Sequence, residues 1–122
     1  MNTSDNLKKA SLSTHVLDTS QGRPAAGISL TLEVLEKKDQ WKWVAQSTTN
    51  TDGRAPNLLT PHLHLSAGIY RLTFETAAYF RAQGVACFYP YVAVVFEKTN
   101  DLAHYHVPLL LSPYGYSTYR GS

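Results

Sequence analysis

Cysteine is almost missing from this 122-residue chain. Cys87 stands alone, so an internal disulfide is excluded, the fold must hold by packing, and a reducing compartment suits it. Charge is scarce too. Asp, Glu, Lys and Arg make up 16% of the residues, against roughly 25% in an ordinary globular domain. That is thin cover for a monomer and implies that some surface meets protein. The net charge of +2 is scattered, and without a basic run to neutralise a row of phosphates nucleic acid is excluded as a partner. No stretch of about 18 apolar residues occurs, and the opening MNTSDNLKKASLST has no apolar segment of the kind that directs secretion. The expectation is a soluble, cytoplasmic protein with no membrane partner. Helical periodicity is also rare: only ETAAYFRAQG reads as a helix, with Gly84 placed to end it.

Strand signals fill the rest. In ISLTLEV, Ile28, Leu30, Leu32 and Val34 alternate with Ser29, Thr31 and Glu33, the period of a strand with one face buried. WKWVAQSTT reads as its hairpin partner across EKKDQ, and IYRLTFET puts Tyr70, Leu72 and Phe74 on one face. YVAVVFEK and HYHVPLLLS complete the β-rich runs. Between them, SQGRPAAG, NTDGRAP, LSAG and EKTNDLA carry the Gly, Pro, Asn and Asp of turns. The expected fold is all-β, a two-sheet β-sandwich of seven to eight strands with one short helix. Residues 1–11 are expected to be a disordered N-terminal segment and 12–122 a single domain.

In HYHVPLLLS, Tyr105, Val107, Leu109 and Leu111 form a uniformly apolar core face, leaving His104, His106, Pro108 and Leu110 outside. Leu110 is apolar on a face that should be wet, and Tyr114, Tyr116 and Thr118 are expected to continue that face. A second copy of the chain is therefore expected to cover it. Self-association would bring two sets of polar side chains to a seam, where ligand sites tend to form. His106 suits a general base near neutral pH, although a hydrogen-bonded structural histidine has the same signature. His15 opens the first strand, and Arg54 follows a turn and offers a forked donor for an oxygen-rich ligand. Asp18 and Asp52 either orient an imidazole or cap backbone N–H groups. The pairs His62/His64 and His104/His106 each put two imidazoles on one side of a strand, half of a zinc site. With no further ligand marked, no metal is assigned. Cys87, amid VACFYPY, reads as a small buried hydrophobe, and Trp41 and Trp43 read as packing residues.

The segments THVLD, TDGR and YHVPLLLSPYGYSTYRGS resemble the transthyretin-like proteins, and the likeness runs from about Ser13 to Ser122. Within that family the terminal YRGS is similar to the 5-hydroxyisourate hydrolase branch rather than to the thyroid-hormone carriers. The resemblance implies a transthyretin-like sandwich assembled as a homotetramer, a dimer of dimers with sites at the dimer–dimer interface. It further implies a cofactor-free hydrolysis of the small-molecule substrate 5-hydroxyisourate. By the same resemblance His15, Arg54, His106 and Ser122 are the catalytic residues, and Tyr119, Arg120 and Gly121 help close the site on substrate. Gly121 is expected to act as a joint that lets the last residue turn inward.

Overall fold

A computed structural model describes residues 11–59, 63–99 and 102–121. The strands are β1 (Leu12–Asp18), β2 (Arg23–Pro24), β3 (Ser29–Lys37), β4 (Gln40–Thr48), β5 (Gly68–Phe74), β6 (Val92–Lys98), β7 (Tyr105–Ser112) and β8 (Gly115–Thr118), with helix α1 (Thr76–Arg81) between β5 and β6. They form two four-stranded sheets, in the orders β2-β1-β7-β8 and β4-β3-β5-β6. β1 and β7 run parallel; every other named pair is antiparallel. Among the described residues this is the two-sheet sandwich with one short helix that the sequence predicts.

Alternation decides what lies between the sheets. Ile28, Leu30, Leu32, Leu72 and Phe74 are wholly buried and meet Val16, Leu109 and Leu111 from the opposite sheet. Burying each such side chain is worth about 1.5–3 kcal/mol. The helix adds Phe80 to the core and ends in a Schellman arrangement. Val85 N–H donates to the Phe80 carbonyl and Gly84 N–H to that of Arg81, both at 3.0 Å, with Gly84 at φ 69°. Under the helix, the Asp18 carboxylate accepts from the hydroxyl of Tyr79 at 2.7 Å, the hydroxyl of Ser20 at 2.5 Å and the side chain of Gln21 at 2.9 Å. Burial alone would raise the Asp18 pKa, but the bonds from Ser20, Tyr79 and Gln21 outweigh it and hold the carboxyl below its ordinary value.

Two sequence expectations need correction. The tight turn at Pro113 and Tyr114 reverses the chain, and the β7–β8 register pairs Leu109 with Thr118 and Leu111 with Tyr116. Tyr116 and Thr118 therefore share the core side of the sheet, at its edge, while Ser117 pairs with Leu110 on the outer side. The sequence expectation carries one alternation straight through the turn, whereas residues facing each other across a hairpin share a side. The N-terminal boundary also moves. Ser11 is buried, its carbonyl accepting from Tyr105 N–H at 2.9 Å and its hydroxyl from Leu65 N–H at 3.2 Å. The rest of the segment expected to be disordered, residues 1–10, lies outside the described residues.

Candidate active site

The parallel register of β1 on β7 sets Ser13 beside His106, His15 beside Pro108 and Leu17 beside Leu110. Paired residues in a sheet point to the same side, so these six line the outer face. Its polar end carries the two histidines expected from the sequence; its apolar end is Leu17 and Leu110, each half-buried in one chain.

A tight loop brings in Arg54. The Asn50 side-chain oxygen accepts from the N–H groups of Asp52 at 2.9 Å and Arg54 at 3.1 Å, folding the loop on itself. Gly53 then lies flat against β1, its carbonyl accepting from Val16 N–H at 2.8 Å. Only glycine fits there. Its φ is 76°, and a Cβ would stand 2.3 Å from the Val16 carbonyl oxygen. Arg54 consequently bridges His15 as an antiparallel neighbour.

Each imidazole is held by one nitrogen. Nε2 of His15 lies 2.8 Å from the Asp52 carbonyl oxygen; a carbonyl only accepts, so Nε2 carries the proton and Nδ1 of the neutral ring keeps its lone pair. Nδ1 of His106 lies 2.7 Å from the Ser13 hydroxyl, which is also 3.0 Å from Nε2 of His104. Burial, then the positive charge of Arg54 with His104 and His15 behind it, hold the His106 pKa below the usual histidine value. The ring is thus kept neutral and able to accept a proton at physiological pH.

The C-terminal residues divide. The β7–β8 ladder continues past its last regular pair, with Gly121 N–H donating to the His106 carbonyl at 2.8 Å. Gly121 is packed on His106: a Cβ there would meet the ring at Cδ2 2.5 Å away, so it is the missing side chain that lets the backbone pass the imidazole, and its φ is not in the left-handed region. Tyr119 is exposed. The guanidinium of Arg120 stacks on the Tyr105 ring, 4.2 Å from its centroid, on the opposite side of β7 from His106. Both Tyr119 and Arg120 line a cavity of about 470 Å³ along the edges of β6 and β8. Within one chain the fold brings His15, Arg54, His106 and Gly121 together, but not Arg120. Ser122 lies outside the described residues.

Sequence reasoning overlooked Ser13, a short polar residue whose only signal is its position two before His15. It also took His104 solely as half of a metal pair. Of the acidic candidates, Asp18 caps the N–H groups of Ser20 and Gln21, and Asp52 orients His15 through its backbone carbonyl, not its carboxylate. His64 is exposed and His62 is not among the described residues.

A family model described as the HIUase/Transthyretin family matches residues 12–121. The chain is 52% identical over 112 residues to the 5-hydroxyisourate hydrolase of Mus musculus, covering 91% of this chain and 94% of that one. Among solved structures it resembles the 5-hydroxyisourate hydrolase of Klebsiella pneumoniae with a TM-score of 0.79 and 36% identity, over 93% of this chain and all of that one. It also resembles sea bream transthyretin in complex with thyroxine, with a TM-score of 0.85 and 33% identity over 92% and 95% of the two chains. The fold, the matched span and these identities together place the chain in the HIUase/transthyretin family.

Proposed function

We infer that this chain is a hydrolase that opens 5-hydroxyisourate to 2-oxo-4-hydroxy-4-carboxy-5-ureidoimidazoline, a step of urate degradation. The observation that carries the reading is geometric: His106, His15 and Arg54 share one sheet face, with the His106 ring held at Nδ1 by the Ser13 hydroxyl at 2.7 Å; burial and the charge of Arg54 lower its pKa. The substrate is a planar, carbonyl-rich bicycle whose cyclic amide must be attacked by water. Water is a poor nucleophile, so a base must take its proton as it adds, and the negative oxygen that forms needs a donor. His106 is the base in this reading: its ring nitrogen Nε2 takes the proton from water and later returns it to the departing ring nitrogen. Arg54 polarises the carbonyl and holds the ligand plane with its forked donors. It also keeps His106 neutral until the proton arrives. His15 positions the substrate, and Gly121 sets the chain end against His106. Ser122 takes the role of orienting the water or the leaving nitrogen, on the resemblance of the terminal tetrapeptide alone. Tyr119 contributes to substrate binding on the resemblance of the terminal tetrapeptide, and Arg120 does so only if a neighbouring chain presents it, since Arg120 turns away from His106 within its own chain.

Such a site, on an open sheet face, needs a cover. We propose a homotetramer, a dimer of dimers with the sites at the dimer–dimer interface. The half-buried Leu17 and Leu110 beside the polar cluster support it, because an apolar patch there is stabilised by a second copy. A molar mass of one chain in light scattering at micromolar concentration would sink that assembly. Among the described residues no helix is long and apolar enough to cross a membrane, and the one cysteine is free; a cytoplasmic setting is the reading that fits.

The test is kinetic. Adding the protein to freshly generated 5-hydroxyisourate should speed the decay of its ultraviolet absorbance, and His106→Ala or Arg54→Ala should each remove at least about 100-fold of that acceleration. Decay unchanged by the wild-type protein refutes the hydrolase reading. Tight binding of iodinated aromatics without turnover would favour a carrier instead.

A further inference from the structure

The hydroxyl of Ser13 stands between two imidazoles, 2.7 Å from Nδ1 of His106 and 3.0 Å from Nε2 of His104. We propose that Ser13 is a positioning residue which, together with His104, fixes the nitrogen on which His106 carries its proton and so keeps Nε2 of His106 free to act as the base. The role rests on the reading above that His106 is that base.

A hydroxyl has one proton to donate. If Ser13 donates to Nε2 of His104, it can only accept from His106; Nδ1 of His106 is then the N–H, and Nε2 keeps its lone pair. If Ser13 donates to Nδ1 of His106 instead, it accepts from an N–H on Nε2 of His104, and Nε2 of His106 already holds the proton and cannot take one from water. The tautomers of the two rings are thereby locked together through one oxygen. His104 as acceptor is the arrangement that serves hydrolysis. During the reaction Nε2 of His106 gains the water proton, the imidazolium keeps its Nδ1–H on Ser13, and the proton leaves by Nε2 to the departing nitrogen. Neither Ser13 nor His104 changes its protons in this cycle.

Backbone register makes the device rigid. Ser13 is paired with His106 between two parallel strands, and the next residue, Thr14, donates its hydroxyl to the Val107 carbonyl at 2.7 Å. Gly121 closes the other side of the His106 ring. With Nδ1 bonded on one side and a backbone packed on Cδ2, the ring has little room to turn.

The experiment compares wild type, Ser13→Ala, Ser13→Thr and His104→Leu in two measurements. In turnover of 5-hydroxyisourate, Ser13→Ala should lower kcat about 10–100-fold with KM within about twofold, as for other residues that orient a ligand or base. Ser13→Thr, which keeps the hydroxyl, should stay within about threefold of wild type. His104→Leu should reproduce most of the Ser13→Ala loss, and the double variant should add little to either single one, because the residues act as one unit. Independently of turnover, 15N shifts of the imidazoles should report His106 as the Nδ1–H tautomer in the wild type and a shift toward Nε2–H in His104→Leu. A His106 that is Nε2–H in the wild type, or a Ser13→Ala enzyme with wild-type kcat, overturns the proposal. Equal losses in Ser13→Ala and Ser13→Thr with a raised KM would show a packing role only. If the wild type did not turn over at all, the hydrolase reading would fall, while the NMR measurement would still judge the pairing.

Discussion

Replacing Gly121 with alanine should separate catalysis from folding. The added Cβ would lie 2.5 Å from Cδ2 and 3.2 Å from Cγ of His106, where carbons in contact settle at about 3.5–4.0 Å. Either the imidazole retreats by about 1 Å, or the chain end lifts away and breaks the 2.8 Å bond from Gly121 N–H to the His106 carbonyl. A catalytic group displaced by about 1 Å costs on the order of 100-fold in rate, about 2.7 kcal/mol in the barrier. Folding should hardly notice. Gly121 lies past the last strand and has no left-handed φ to strain, so Tm should move by less than about 2 °C. Gly53→Ala makes the contrast, since its φ is 76° and its Cβ would press on a backbone oxygen in β1 at 2.3 Å. A cost of roughly 1–3 kcal/mol in stability is expected there. The assay is the ultraviolet decay of 5-hydroxyisourate alongside thermal unfolding. A Gly121→Ala protein with wild-type kcat would show that the contact with His106 does not govern the base, and the reasoning would fail.

The remaining predictions concern charge. Because the folded His106 pKa is depressed below its ordinary value of 6.5, the base form persists at lower pH, and the acid limb of kcat/KM should fall below pH 6.5. In Arg54→Gln, which removes the charge that lowers the His106 pKa most, that limb should move up toward 6.5; an unmoved limb would mean the charge of Arg54 does not reach the base. The same sign applies to stability, since the contribution of His106 is present above 6.5 and is lost as pH falls through its lower folded value. Tyr79→Phe should destabilise by about 1.5–3 kcal/mol, because it strips a donor from the wholly buried Asp18 carboxylate. Asp18 titrates below its ordinary 3.8 in the folded protein, so that difference should be present above pH 3.8 and shrink as pH falls through the lower folded value. Melts of the two proteins from pH 7 to pH 2 check it, and a constant gap would refute the linkage.

Much of the fold was legible because strands with one buried face write their period into the chain. Leu30, Leu32, Tyr70, Leu72, Phe74, Leu109 and Leu111 all face inward, as alternation requires. Where alternation crosses a turn it misleads, as Tyr116 and Thr118 show. Lys98, almost fully buried with its ammonium 5.1 Å from the Tyr105 ring centroid, follows the period of Val92 and Val94 but not their chemistry, and polarity hid it. His15, Arg54 and His106 could be singled out by type and motif. Ser13 could not, because a serine becomes a partner of histidine only when something sets the two side by side.

By itself the sequence determined which apolar residues of the regular strands turn to the core, that a short helix is closed by Gly84, and which imidazoles and guanidinium are available for chemistry. These are local properties, set by periods of two and by glycine. The tertiary structure alone decided that β1 lies parallel to β7 with Ser13 beside His106, that Gly53 brings Arg54 to His15, and that Gly121 rests on an imidazole while Arg120 turns to Tyr105. Ser13 and His106 are 93 residues apart, His15 and Arg54 are 39 apart, and the Gly121–His106 and Arg120–Tyr105 pairs are each 15 apart. Nothing in a strand's own pattern specifies its partner or register; packing of the two sheets does.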